Sequence, residues 1–394
     1  MTDSVTLVTN QIDKVGGLER YVDELATRLI PRGFDVTIIA KRSSPGPKQT
    51  ETRADGVTVV RTWVPSKDRP WFALSYGLGV PYVTGREINS LGDGRIVHGH
   101  FFAPMIGQAL QRRDYIYTFH GPVYKELLDE RQDSYVLPGR AQRLAVALTK
   151  LAERQVVGNA CLVTVLSKFM ADEIRALGAR PRQVEVLAGG VDMKRFSPGR
   201  SVRPGWTDGS FPLLFAARRL ATGKGVLELV HAMPEILRTN PSAMLVVAGS
   251  GAEAKAVQHQ IEALGVRQSV RLVGDLEGAD LVNWIRCADL CVVPTQRPEP
   301  FGLSTVEALA CGTPVVATPA GASRELLDPL DPRLILPGLL PADIARGVAS
   351  AAGDSDLMTA VRATARSYVY PRYGWDQVVD SWAEIYSRQI AGVR

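Results

Sequence analysis

The chain has 394 residues, 45% of them hydrophobic and 22% charged, an ordinary globular composition long enough for two domains that each bury a core. A net charge of +5 and a pI near 9.0 permit an anionic ligand or contact with an anionic membrane surface and demand neither, and no basic run interleaved with aromatics points to nucleic acid. No stretch offers the ~18 uncharged apolar residues of a membrane span, the start MTDSVTLVTNQ lacks a secretory pattern, and Cys161, Cys287, Cys291 and Cys311 read as buried apolar thiols in a reducing cytoplasm, with a metal site or disulfide at Cys287 and Cys291 as the alternative.

The first elements form a β-α-β unit. SVTLVTN is an apolar strand, and LERYVDELATRLI carries Leu18, Tyr21, Val22, Leu25 and Leu29 at helical spacing. RGFDVTIIA then gives a turn and a second strand, so a parallel sheet is expected. Residues 41–55 read as polar loop. GVTVVRTWV, GRIVHG, YIYTFHG and ACLVTVLS are strands, AQRLAVALTKLAERQVV is a helix, and VEVLAGGVD holds the last strand of this half. Prolines and glycines break every period in 65–93, which receives no assignment.

The Pro/Gly/Ser-rich stretch MKRFSPGRSVRPGWTDGSFP is the expected linker. Beyond it strands and helices alternate again: LLFAARR, VLELVHAMPEILRT, AMLVVAGS, EAKAVQHQIEALG, SVRLVGD, LVNWIRCA, LCVVPT, STVEALACG and PVVAT. The second half is therefore also a doubly wound α/β sheet, and YGWDQVVDSWAEIYSRQIAG is one amphipathic helix after Pro371. Two such domains face a cleft, and strand ends at the cleft are where ligands are expected.

Several strand ends carry residues suited to chemistry. Gly16 and Gly17 precede the first helix, where backbone and free N–H groups favour an anion. RRLATGKG repeats the device: Arg218 and Arg219 end a strand, Gly223 and Gly225 form the turn, and Lys224 stands at a helix start, so that guanidinium, ammonium and N–H groups converge on a phosphate. In VVAGSGAEA, Gly249, Gly251 and Ala254 match G-x-G-x-x-A, and Asp275 ends the next strand, as a dinucleotide fold would place a ribose carboxylate. His98 and His100 share one face of a strand as a metal pair could, and His120 stands at a strand end before Gly and Pro. EPFGLSTVE sets Glu299 in a loop and Glu307 one turn into a helix, with the N–H groups of Phe301 to Ser304 between them. Carboxylates accept paired hydrogen bonds from vicinal hydroxyls, so this stretch suits a sugar.

Taken together, the GG before the first helix, Arg219-Leu220…Lys224-Gly225 and Glu299…Glu307 on two doubly wound halves resemble the retaining GT-B glycosyltransferases of family 4, over nearly the whole chain and most strongly over 213–325. The resemblance implies an N-terminal acceptor domain (1–193, with 372–394 packing back) and a C-terminal donor domain (194–371). Arg219 and Lys224 would hold the donor diphosphate, and Glu307 the nucleotide ribose. Glu299, helped by the N–H groups of Phe301, Gly302, Leu303 and Ser304, would hold the transferred sugar. Gly16 and Gly17 would approach the diphosphate, His120 the sugar, and Ser250 and Gly251 would line the nucleotide pocket. Asp192 in GGVDMKRF would be structural. The implied reaction is same-face substitution without a metal or other cofactor, moving a hexosyl or N-acetylhexosaminyl group from a UDP-sugar to an acceptor hydroxyl. The acceptor would be a glycan, a lipid-linked intermediate or a small molecule. This chain departs from the pattern at Arg218, where the family usually has glycine, and at Pro300.

Three other readings compete. An NAD-dependent oxidoreductase would rest on Gly249–Ala254 and Asp275. A glycoside hydrolase would use Glu299 and Glu307 as its acid and base. A non-catalytic sugar-nucleotide-binding protein would bind donor without turnover. Separately, Arg140, Arg143, Lys150 and Arg154 on one helix are compatible with peripheral membrane contact or with a solvated basic face.

Overall fold

Asp3–Val8 (β1), Gly17–Leu29 (α1) and Phe34–Lys41 (β2) open the fold in the computed structural model, which describes residues 3–13, 16–42, 46–63, 72–92, 94–125 and 139–393, and their side chains other than those of 72–76, 139–141 and 391–393. Tyr21, Val22, Leu25 and Leu29 turn inward from α1, and β1 lies parallel to β2 with Val5 opposite Val36 and Leu7 opposite Ile38. The chain forms two units, Met1–Gly189 with Trp375–Arg394, and Gly190–Gly374.

The first unit continues through Gln49–Thr52 (β3), Thr58–Thr62 (β4), Phe72–Ser90 (α2), Ile96–Gly99 (β5), Phe102–Leu110 (α3), Ile116–Phe119 (β6), Gly139–Asn159 (α4), Leu162–Val165 (β7), Lys168–Leu177 (α5) and Val184–Val186 (β8). The sheet order is β3-β4-β2-β1-β5-β6-β7-β8, parallel throughout except where β3 meets β4. Strands β6 and β7 are buried at every residue, as central strands covered on both faces must be.

Two expectations change here. Residues 41–55 are not all loop: β3 is an edge strand, and its four residues are all exposed, so no apolar alternation marks it. Much of the unassigned stretch 65–93 is helix α2, with Pro81 inside. It packs on α3, where a side chain at Gly107 would lie 3.0 Å from the Pro81 carbonyl oxygen, so glycine allows the two backbones to approach. Residues 65–71 and 93 of that stretch lie outside the described residues.

The second unit runs through Leu213–Ala217 (β9), Val226–Thr239 (α6), Met244–Ala248 (β10), Ala254–Ala263 (α7), Val270–Leu272 (β11), Gly278–Cys287 (α8), Leu290–Val293 (β12), Leu303–Ala310 (α9), Val315–Ala317 (β13), Ser323–Leu327 (α10), Pro341–Gly353 (α11) and Ser355–Tyr373 (α12). Its sheet is parallel with order β11-β10-β9-β12-β13. The chain winds outward from β9 in one direction, then returns to β12 and winds the other way. A crevice opens where the winding reverses, at the C-terminal ends of β9 and β12.

The expected linker is fastened to this unit. The Val202 N–H donates to Asn283 Oδ1 at 2.9 Å, and Arg286 Nε donates to the Ser197 carbonyl at 2.6 Å. Just ahead of it, Asp192 Oδ1 accepts the N–H groups of Lys194 (2.9 Å) and Arg195 (3.1 Å) and so fixes a turn. Pro371 lies within α12, and the last helix, Trp375–Val393 (α13), starts after Gly374. This helix belongs to the first unit. Its Trp382 and Tyr386 are wholly buried: Trp382 Nε1 donates to Tyr21 Oη at 2.8 Å, and Tyr386 Oη lies 2.7 Å from His98 Nδ1.

All four cysteines are free thiols, with Cys287, Cys291 and Cys311 buried. Burial pushes the Cys311 thiol up to about 11 and Cys291 higher still. No described helix is long and apolar enough to cross a membrane.

Candidate active site

The reversal point of the second sheet collects three charged side chains from segments far apart in sequence. Arg218 follows β9 directly. Lys224 sits in the turn before α6, and Gly225, the residue capping that helix, has φ +78°. A Cβ at Gly225 would fall 1.7 Å from the Pro294 carbonyl oxygen. Only glycine permits this approach, and it clamps the Lys224 turn onto the end of β12. A second clamp holds the loop after β12: Gly321, at φ +60°, would place a Cβ 2.3 Å from the Glu299 nitrogen. The Ala322 N–H also donates to the Glu299 carbonyl at 3.1 Å.

Between these clamps, Arg218 Nη2 donates to Glu299 Oε2 at 3.1 Å and Arg218 Nη1 to Ser304 Oγ at 3.1 Å. Thr295 Oγ1 accepts a short hydrogen bond from Arg218 Nη2 and stands 3.5 Å from Glu299 Oε2. Lys224 Nζ lies 3.5 Å from the other carboxylate oxygen, Glu299 Oε1. The Arg218 side chain is 6% exposed, whereas that of Lys224 is 28% exposed and can be reached by a ligand. Arg218 Nε is buried without a hydrogen-bond partner among the described residues.

Burial works to raise the Glu299 carboxyl, but Arg218 and Lys224 outweigh it and hold the group below the usual carboxylate range. Burial lowers the Lys224 ammonium; Glu299 opposes that shift, while Arg218 and Arg219 add to it. Two cations thus flank one ionised carboxylate, and the excess positive charge stands beside the start of α9. There Gly302 adopts φ +101°, and the first N–H groups of the helix, from Leu303 and Ser304, lie outside its own ladder. Such a place suits a ligand with anionic and hydroxyl groups together.

The other residues singled out in this unit fall into distinct settings. Arg219 is exposed, so the two adjacent arginines differ: one is built into the cluster, the other faces solvent. Glu307 is buried inside α9 and, with Ser304, lines a small hollow against Phe215, Ala217 and Val293. Phe301 is buried edge-on to Tyr373. Ser250 and Gly251 are exposed beyond β10, and Ser250 Oγ donates to Asp275 Oδ2 at 2.6 Å. The glycines of the G-x-G-x-x-A match have a structural cause. A Cβ at Gly249 would lie 1.9 Å from the Arg218 carbonyl oxygen, and one at Gly251 would lie 2.2 Å from that of Leu220. They let the segment after β9 pass close to the end of β10, which accounts for the motif without a dinucleotide.

In the first unit, Gly16 caps α1 without a side-chain bond, and Gly17 begins the helix. His120 follows β6, with Nε2 3.1 Å from His100 Nδ1 and its ring edge-on to Tyr21. Burial drives the His120 imidazole down to about 3, so it is neutral. The His98-His100 pair is not arranged for a metal. Both ring nitrogens of His98 are hydrogen-bonded, to Tyr386 and to Thr118 at 2.7 Å each, and among the described residues no group of three His, Cys, Asp or Glu side chains could hold an ion.

Reading the sequence missed Thr295 and Gly321. Both serve through what the fold brings near Glu299, and a threonine after a strand or a glycine in TPAGAS carries no signal of that. At Gly225 the turn was readable from the residue pattern, whereas the contact with Pro294 was not.

The chain matches two family models, Glycosyltransferase Family 4 over residues 15–195 and Glycosyl transferases group 1 over 205–368. It is 30% identical to D-inositol 3-phosphate glycosyltransferase 1 of Catenulispora acidiphila over 401 aligned positions, covering 96% of this chain and 92% of that one. Among solved structures it resembles sucrose-phosphate synthase from Thermosynechococcus elongatus (TM-score 0.80, 22% identity, 99% of this chain and 100% of that one). It also resembles Anabaena HepE in complex with UDP (TM-score 0.72, 18% identity, 98% of this chain and 100% of that one).

Proposed function

The chain belongs to glycosyltransferase family 4, and from that premise we propose that it moves a hexosyl or N-acetylhexosaminyl group from a UDP-sugar to an acceptor hydroxyl with retention of configuration. It is a glycosyltransferase of GT-B fold that uses a nucleotide-sugar donor, and the oxidoreductase alternative is set aside. The observation that carries the finer reading is the pairing of Arg218 and Lys224 with the ionised Glu299 at the start of α9, with the Arg219 charge acting on Lys224. A uridine donor is supported by a fold shared with a protein solved with UDP.

In this reading the second unit is the donor domain and the first the acceptor domain. Arg219 and Lys224 hold the diphosphate, Glu307 takes the ribose, and Ser250 and Gly251 border the nucleotide. Glu299 and the N–H groups of Phe301 to Ser304 hold the sugar. Gly16 and Gly17 approach the diphosphate, and the neutral His120 serves as a hydrogen-bonding group toward the sugar. The bond between the anomeric carbon and the phosphate oxygen breaks, the acceptor oxygen bonds to the same face, and the acceptor proton passes to the departing phosphate. The protein's contribution is position and positive charge, supplied by side chains and a helix start, so the reading calls for no metal or other cofactor. Glu299, held ionised between two cations, acts as an acceptor of hydrogen bonds and is unsuited to be the acid of a hydrolase pair.

The acceptor is a glycan, a lipid-linked intermediate or a small molecule, and the free buried thiols agree with a cytoplasmic setting. Peripheral membrane contact is supported by α4, where Leu144, Leu148 and Leu151 are exposed beside Arg143, Lys150 and Arg154. The Arg140 side chain lies outside the described ones. Sedimentation with anionic vesicles, lost in Leu148→Glu, checks that contact.

The first test is thermal stability of wild type and Glu307→Ala with UDP, GDP, dTDP, ADP and NAD. A ligand bound only to the native state raises stability with its concentration. A shift with UDP that disappears in Glu307→Ala is the expected result. A shift with NAD alone, untouched by Glu307→Ala, would sink the reading.

A further inference from the structure

Arg218 sits where the family pattern has glycine, and it is too enclosed to be a general phosphate ligand. Its guanidinium joins three segments: Thr295 at the end of β12, Glu299 in the following loop, and Ser304 in the first turn of α9. Lys224 touches the same carboxylate from the other side, through Oε1. The more exposed cation is thus paired with a protein anion at the place where the proposed reading puts a ligand anion. For Lys224 to serve a diphosphate it must loosen its hold on Glu299. A buried carboxylate left alone is costly, so a lysine that is its only partner would be held back.

We infer that Arg218 is a positioning residue that carries the charge of Glu299, so that Lys224 can transfer from the carboxylate to the donor diphosphate. The inference rests on the donor reading above and assigns a residue which that reading leaves without a role. Arg218 engages one carboxylate oxygen and the α9 start together, so Glu299 stays oriented and ionised when Lys224 turns away. The charged groups facing Glu299 are Arg218 from the end of β9 and Lys224 from the turn before α6, with Arg219 acting on Lys224.

The test uses the full chain, UDP as probe, and four proteins: wild type, Arg218→Met, Glu299→Gln and the double variant, with Arg218→Lys as a charge-keeping control. In Arg218→Met, Lys224 becomes the one charged partner left to Glu299, and UDP affinity at pH 8 falls by about tenfold. That loss shrinks as pH falls and Glu299, now without its guanidinium, takes up a proton. Adding Glu299→Gln to Arg218→Met removes the competing anion and restores UDP binding, and Arg218→Lys binds closer to wild type than Arg218→Met does. A merely structural arginine predicts the opposite, because the double variant would then bind no better than Arg218→Met at any pH. Equal UDP affinity in wild type and Arg218→Met overturns the inference while leaving the donor reading intact. A wild type that binds no nucleoside diphosphate overturns the donor reading, and this inference with it.

Discussion

Gly225→Ala separates the contribution of one backbone contact from general loss of a glycine. The residue has φ +78°, and a left-handed conformation costs a non-glycine residue about 1–2 kcal/mol. The new methyl would also stand 1.7 Å from the Pro294 carbonyl oxygen, a backbone atom that cannot rotate aside. Relieving that overlap means pushing the Lys224 turn off β12, at a further cost of about 1–3 kcal/mol typical of overpacking. The total of ~2–5 kcal/mol falls on the second unit. Gly265→Ala is the matched control, since Gly265 has φ +67° and no atom within 4 Å of an added Cβ, so it bears the conformational cost alone. Hydrogen exchange at β9 and β12 amides reads the stability of this unit by itself, and a UDP titration reads Lys224. Gly225→Ala should lose protection well beyond Gly265→Ala, and UDP affinity only in the former. Equal protection and equal affinity in the two variants would refute the clamp and the placement of Lys224 derived from it.

Two further outcomes follow from the charges. Lys224→Ala leaves Glu299 paired with Arg218 and removes one charge-assisted contact to the diphosphate, so UDP affinity should fall by about 10- to 100-fold with little change in melting temperature, as calorimetric titration and a melt would show. In the first unit, burial holds His120 near 3, and His98 and His100 well below their ordinary value, so the unfolded chain binds more protons than the native one from about pH 6.5 downward. Stability should therefore decline as pH drops from about 6.5 towards 3, and His98→Gln should flatten that slope in acid-unfolding curves.

Much of the architecture was legible because parallel strands buried on both faces are nearly continuous apolar runs. LVTV, LCVV and LLFAA announce themselves, and the amphipathic helices between them fix the winding. The edge strand QTET has no buried face and so no pattern. Helix α2 hides behind Pro81, Gly77, Gly79 and Gly85, residues that lower helical preference and are tolerated because a neighbouring helix packs against them. Around Glu299 the sequence supplied the charged residues but not their pairing. Arg218 and Arg219 are indistinguishable as letters, and both faces of β9 are covered, so alternation could not say which guanidinium turns inward. Glycines carry the same ambiguity. Gly249 and Gly251 look like ligand contacts until the backbone beside them is seen.

The first unit is written in two pieces of chain, and this orders its birth. Its first 189 residues leave the ribosome without the helix that supplies Trp382 and Tyr386, and translation of the second unit intervenes. At ~5–20 residues per second the delay is on the order of 10–40 s. Through that interval Tyr21 and His98 lack the partners that seal them in the finished protein. The second unit, continuous from Gly190 to Gly374, can fold as soon as it emerges. The earlier half of the gene product is thus the later half to mature, and a nascent chain stalled short of residue 375 should expose the underside of β5 to chaperones while its second sheet is already closed.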